Sequence, residues 1–373
     1  MTRSTDGARL VLTTLRGSEL THEALAHVRR GVGGVVIEPL AGDPARATSD
    51  PAAIAHVIAE LKRRADQPLI AAASHEGGRH AAVRHPFIEL PDMGAVGLSG
   101  ELKLAEAIGR VMGEELRAVG VDLNLAPVLD VDTREDNPFV GARSFGISPH
   151  ICGAFGCGIL EAMQLAGVAA AAKHFPGLGD LEHDPRNTIA ALNHDRARMN
   201  RVELPPFFSA VSRGVAAMLV GQVRFDALDP DAPAAQSGVI IERVLRDEMA
   251  FGGLVIADDV TTPSATRVGD EPGGDAGDAA VRAVAAGADL VRVGGADRGV
   301  TDRVIDAIDH AIDDGRITPA RLQNALHQIA ALGENYIQPP PADPDVARIG
   351  NDDHRVVMEQ VWRLAETHDA PGG

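Results

Sequence analysis

Short apolar runs bounded by turn residues recur along the chain, with longer stretches rich in Ala, Leu, Glu and Arg between them. The runs fall at residues 9–14, 34–38, 68–73, 121–125, 168–173, 217–221, 253–257 and 290–294. Each has the length of a buried strand and is too short for a buried helix. The stretches 51–64, 101–119, 147–165, 239–249 and 275–286 have the length and composition of crossover helices. Strict alternation of strand and helix predicts a parallel sheet covered by helices. Eight such units in roughly 300 residues favour an α/β fold of the closed (β/α)8 TIM-like barrel type over an open doubly wound sheet, because the barrel typically takes about 250 residues plus insertions.

The polar residues follow the same plan. Ser74, His75 and Glu76 come after the third run, Asp130 and Arg143 after the fourth, Lys173 and His174 at the end of the fifth, Gln222 after the sixth and Asp258 at the end of the seventh. In a barrel all of these belong to one rim, the end of the strands where barrel enzymes hold their chemistry. The barrel is expected to occupy residues 1–335. Residues 336–373 read as a linker containing Pro339, Pro340, Pro341 and Pro344, followed by a C-terminal helix over 352–367 that offers Val356, Val357, Val361, Trp362 and Leu364 for packing. Residues 370–373 are expected to fray, and the Gly- and Asp-rich stretch 267–277 reads as a mobile loop beside the rim.

Composition narrows the functional classes. The chain has 373 residues, 45% of them hydrophobic, and a formal net charge of -18, which fits a globular protein with a large core and disfavours nucleic acid as a partner. Its only cysteines, Cys152 and Cys157, share one predicted helix; they are too few for a disulfide scaffold or a thiolate zinc site, so two buried free thiols are expected. No metal and no cofactor are expected. The N-terminus lacks the apolar core and cleavage site of a signal peptide, and no apolar run is long enough to span a bilayer, so a cytoplasmic protein with no membrane partner is expected. No sequence feature sets the oligomeric state.

At the rim, Asp258 ends an apolar strand, which would fix its carboxylate at the barrel mouth as a nucleophile requires. The pair Asp258 and Asp259 is equally compatible with capping a helix or binding a metal. Lys173 follows an apolar run and is read as a partly buried donor, whereas His174 alone is more often a core histidine bonded to a carbonyl. Glu76, Arg79 and Arg143 place one anion and two cations on turns, suited to ligand hydroxyls or a carboxylate.

Taken in order, His75-Glu76-Gly77-Gly78-Arg79, Ala126-Pro127-Val128-Leu129-Asp130-Val131-Asp132, Ala142-Arg143-Ser144-Phe145-Gly146, Lys173-His174-Phe175-Pro176-Gly177, Ala227-Leu228-Asp229 and Ala257-Asp258-Asp259 resemble glycoside hydrolase family 3, and most closely its single-barrel β-N-acetylglucosaminidases. The resemblance covers roughly residues 8–335. It implies a retaining glycosidase in which an Asp attacks the anomeric carbon and water resolves the glycosyl-enzyme. On this resemblance Asp258 is the nucleophile, and Lys173, His174 and Arg143 contact the sugar.

The departures from the family pattern fall on the chemistry. Where the family has an Asp-x-His pair whose His is the acid/base, this chain reads Asp184-Pro185-Arg186, and an arginine cannot give up a proton near neutral pH. The sugar-gripping Asp of the family is Ser74 here, a sugar-contacting Arg is Ala82, and two histidines are Leu178 and Gln222. His183 and Asp184 remain as acid/base candidates, and Arg186 as an anion-binding group that would suit transfer to phosphate or another acceptor. Two readings follow: a family 3-like glycosidase with altered substrate, acting on a small-molecule glycoside or sugar-like ligand, or a non-catalytic barrel that binds a sugar or small metabolite.

Overall fold

The computed structural model describes residues 6–15, 20–38, 49–268, 271–272, 274–294, 299–339 and 345–366. Eight parallel strands close into a barrel: β1 Val11–Leu15, β2 Gly34–Ile37, β3 Ile70–Ala73, β4 Leu123–Asn124, β5 Ala169–Phe175, β6 Ala217–Val220, β7 Leu254–Ala257 and β8 Leu290–Val293. Every apolar run of the sequence became a barrel strand, with β8 closing onto β1 through Val11↔Val291, Leu12↔Arg292 and Thr13↔Val293. Strands β3 and β5 are almost all alanine where they line the barrel, and all of their residues are buried.

The helices around the barrel are α1 His22–Arg30, α2 Pro51–Arg64, α3 Met93–Leu98, α4 Leu102–Ala118, α5 Pro149–Leu165, α6 Pro205–Ser212, α7 Val239–Glu248, α8 Ala276–Ala285, α9 Val300–Asp313 and α10 Pro319–Tyr336. Their starts are written locally. Thr21, Asp50, Ser148, Asp275 and Thr318 each accept a hydrogen bond from a first-turn N–H, and proline occupies the first turn of α2, α5 and α10. Helix α7 winds as a π-helix, with Met249 N–H donating to Val244 O at 3.1 Å. Cys152 and Cys157 are free thiols buried in α5.

The bottom of the barrel is held by two buried carboxylates at strand entrances. Asp122 accepts Ala71 N–H at 2.9 Å and pairs with Lys62 at 2.7 Å; Asp289 accepts Val255 N–H at 2.9 Å and pairs with Arg246 at 2.8 Å and with Arg321. A cavity of about 450 Å³ opens near this end between α2 and α4, but its Lys62 is committed to Asp122 and the rim lies at the other end of the strands.

Two expectations need correction. Residues 267–277 are not one loop: Arg267–Val268 pairs antiparallel with Glu271–Pro272, and α8 begins at Ala276, because Asp275 caps it; residues 269, 270 and 273 lie outside the described residues. The C-terminal helix α11, Asp352–Glu366, packs on α3 and α4, with Met358 and Val361 buried and Val356 and Leu364 exposed. Pro340, Pro341, Pro344 and residues 370–373 lie outside the described residues. Among the described residues no helix is long and apolar enough to cross a membrane.

His354 fastens α11. Its Nδ1 lies 3.0 Å from Glu115 Oε1 and its Nε2 2.8 Å from Glu114 Oε2, so both nitrogens face carboxylates and the ring is best satisfied as the imidazolium. The bond to Glu115 raises the pKa above its ordinary value, burial opposes it and Glu114 adds to it. This contribution is therefore complete below about pH 6.5, the unfolded value, and is lost as pH rises through the raised folded value. We expect His354→Ala to cost about 1–3 kcal/mol at pH 6 and less at about pH 9, in paired thermal or urea melts. A difference that grows with pH would contradict this.

Candidate active site

The rim is built around the end of β5. The strand runs to Phe175, and Lys173 N–H and O bond to Pro127 O at 3.0 Å and Leu129 N–H at 2.6 Å, which draws the chain after β4 alongside it. This places Asp130 beneath His174. The Asp130 carboxylate accepts His174 N–H at 3.2 Å, Leu178 N–H at 2.7 Å and His174 Nδ1 at 2.7 Å. Burial pulls the His174 pKa below its ordinary value against the opposing pull of Asp130, so the ring is neutral near pH 7. With its proton on Nδ1 the ring donates to Asp130, and Nε2 accepts from Arg143 Nη2 at 3.3 Å. His174 is thus held by a carboxylate, not by a carbonyl.

Glu76 and Arg143 are not on flexible turns. Both are buried, and the guanidinium grips the carboxylate in a fork at 2.7 and 2.8 Å while also donating to Phe139 O at 2.9 Å. Lys173 Nζ reaches Glu76 Oε1 at 2.5 Å. Burial pushes the Glu76 pKa up, but Arg143 and Lys173 outweigh it and keep the carboxylate well below the usual range. Arg143 also stacks on the Phe139 ring at 4.8 Å, and that ring packs on His174 at 5.0 Å. Arg79, expected beside them, is exposed, and Ser74 is half-buried at the end of β3 with its N–H bonded to Ile37 O at 2.9 Å.

Asp258 follows β7. Its Oδ1 accepts Arg292 Nη1 at 2.7 Å and Asp259 N–H at 2.8 Å, and its carbonyl accepts Gln222 Nε2 at 2.7 Å. Among the described residues no hydrogen bond reaches Oδ2. Burial raises the Asp258 pKa, but Arg292, then His174 and the Asp259 N–H outweigh it, leaving the group ionised below the ordinary aspartate value. Asp259 turns away and is structural, its Oδ1 accepting Thr261 N–H at 2.9 Å and Gly294 N–H at 3.0 Å.

Three titratable side chains here were not picked out from the sequence. Glu38, after β2, and Arg292, in β8, read as ordinary strand-end charges, yet Arg292 bridges Asp258 to Glu38, with Nε and Nη2 at 3.0 and 2.6 Å from Glu38 Oε1. His80, one residue past Arg79, is half-buried, and burial followed by the charge of Arg143 pushes its pKa to about 4.

The loop after β5 starts tightly. Gly177 has φ +128°, and a Cβ on Gly179 would lie 1.7 Å from Val131 O, so both positions need glycine. Beyond it, Asp184 and Arg186 form a bidentate pair at 2.6 to 3.0 Å. Pro185 and Arg186, with Phe139, Leu178 and Gln222, wall a cavity of about 20 Å³ over Asp258, room for little more than one water. His183 points elsewhere: it is exposed and lines a separate cleft of about 310 Å³ with Arg134, Asp180 and His194. The structure therefore brings Asp258, Lys173, His174, Arg143, Glu76 and Arg186 to one mouth, and does not bring His183 there. Among the described residues no group of three or more His, Cys, Asp or Glu side chains is placed to hold a metal ion.

Comparison with known proteins gives a consistent result. The sequence family described as the glycosyl hydrolase family 3 N terminal domain matches residues 5–332. A beta-hexosaminidase from Hydrogenovibrio crunogenus is 35% identical over 240 residues, 63% of this chain and 65% of that protein. One from Nitrosomonas eutropha is 29% identical over 312 residues, 81% of this chain and 86% of that protein. Among solved structures, a family 3 beta-N-acetylglucosaminidase from Paenibacillus superposes with a TM-score of 0.87 at 30% identity, covering 98% of this chain and 69% of that one. With a match that spans nearly the whole barrel and a rim of strand-end carboxylates and cations, the chain belongs to glycosyl hydrolase family 3.

Proposed function

We propose that this chain is a retaining glycosidase acting on a β-linked N-acetylhexosaminide or a related small glycoside, with Asp258 as its nucleophile. The observation that carries the reading is the Asp258 carboxylate itself: Oδ1 is tied by two donors, Oδ2 accepts no hydrogen bond among the described residues, and the buried cluster of Lys173, His174 and Arg143 lies within electrostatic reach. The relatives named as hexosaminidases supply the substrate class.

In the first step Oδ2 attacks the anomeric carbon, an Oδ2–C1 bond forms, and the bond from C1 to the leaving oxygen breaks with its electron pair. In the second, water attacks C1, the C1–Oδ2 bond breaks, and the water proton passes to solvent. On the resemblance of its motifs to the family, Arg186 takes the position of the acid/base, and an arginine can take neither proton role, so substrates with acidic leaving groups are favoured. The sugar enters only when the turn at Pro185 and Arg186 lifts from over Asp258. The ion pair of Asp184 with Arg186 is internal to that turn and travels with it.

Incubation with 2-fluoro glycosides, or 5-fluoro analogues for 2-acetamido sugars, carrying an activated leaving group should raise the intact mass by one glycosyl unit, and peptide mapping should place it on Asp258. The small cavity over Asp258, with Arg186 in its wall, favours a second reading, a non-hydrolytic sugar-binding barrel. Thermal stabilisation by sugars with no mass increase across the panel would favour that one.

A further inference from the structure

Arg292 lies in β8 and reaches across the mouth in both directions, to Asp258 at the end of β7 and to Glu38 at the end of β2, with β1 lying between β8 and β2. Its guanidinium spends Nη1 on Asp258 Oδ1 and both Nε and Nη2 on Glu38 Oε1. A fork held on one side by Glu38 has no rotational freedom left on the other, so Oδ1 of Asp258 is pinned and Oδ2 is presented. We propose that Arg292, itself locked by Glu38, is the positioning residue that selects Oδ2 as the attacking atom and makes the Asp258 carboxylate a good leaving group in the second step. This rests on the reading of Asp258 as nucleophile.

The chemistry explains why such a device belongs here. A cation on Oδ1 stabilises the carboxylate, which slows its attack on C1 but speeds its departure from the glycosyl-enzyme. With arginine where a base would activate water, departure is the step that needs help. As the C1–Oδ2 bond breaks, the electron pair returns to the carboxylate and Arg292 holds the restored charge. The other groups that face Asp258 are His174, Lys173 and Arg143 from the β5 side and the turn after β4, Asp259 beside it, Gln222 after β6, and Arg186 over the mouth. Among the described residues, Arg292 is the charged one whose side chain hydrogen-bonds the carboxylate.

The test is steady-state kinetics on an activated aryl glycoside with Arg292→Met, Arg292→Lys and Glu38→Gln. Arg292→Met should lower kcat about 10- to 100-fold, the scale of one hydrogen bond to a charged group, and lower KM with it as the glycosyl-enzyme accumulates. The fraction of protein carrying the adduct during turnover should rise in intact mass spectra. The acid limb of kcat/KM should move up by about one pH unit or more, since Asp258 loses the cation that depresses its pKa. Arg292→Lys should restore most of the limb position, and Glu38→Gln should fall between. Circular dichroism melts identify a misfolded variant, in which case the Lys and Gln variants decide. If Asp258 is trapped in the parent protein but the variants keep its kcat, acid limb and adduct fraction, the role of Arg292 is overturned. If Asp258 is not trapped in the parent protein, the nucleophile assignment falls instead.

Discussion

Asp258→Asn is expected to reduce turnover of an activated aryl glycoside by about 10⁴-fold or more, the scale on which an enzyme fails when its covalent nucleophile is removed. The amide keeps the size of the side chain, and Arg292 keeps its bond to Glu38, so the melting temperature should move little. The loss should be in kcat and in adduct formation together, because among the described residues the neighbouring carboxylates are committed elsewhere: Glu76 is forked by Arg143, and Asp259 is turned to Thr261 and Gly294. His183→Ala serves as the paired control and should leave the rate within about twofold, since its ring lines a different cleft. Residual activity of Asp258→Asn near that of the parent protein would remove Asp258 from the chemistry.

Glu76→Gln should be the most damaging single change to stability. One carboxylate is paired with both Arg143 and Lys173 in a buried site, so its loss leaves two cations without that partner. Removing one partner from a buried pair costs about 3–5 kcal/mol. Urea denaturation of Glu76→Gln, Arg143→Gln and the double variant checks it. The double variant should lose clearly less than the sum of the singles, because its buried charge is partly relieved. A cost below about 1 kcal/mol for Glu76→Gln would mean that the cluster is solvated in solution. The same substitution should also weaken sugar binding, since Lys173 and Arg143 lose the anchor that aims them.

Much of this was legible along the chain because it is local. Apolar runs of strand length, separated by helices with Asp, Thr or Ser caps, specify repeating β/α units whatever lies far away, and a polar residue one step past a run must fall at a strand end. That is how Lys173, His174 and Asp258 could be named. The cap at Asp275 was equally readable, and it was the glycines and aspartates around it that suggested a loop where a hairpin and a helix start stand.

What the sequence by itself determined is the barrel, the rim at its strand ends and the residue types on it, because these depend on period and on neighbours in the chain. Only the tertiary structure decided which charges meet. Glu38 and Arg292 are separated by 254 positions, and they touch because closure of the barrel sets β8 against β1 and β1 against β2. Glu76 and Arg143, 67 positions apart, meet for the same kind of reason. The turn after β5 followed the rule too: Pro185 and Arg186 cover Asp258 while His183 faces away, a choice made by the loop's packing against the chain after β4 rather than by the order of its residues.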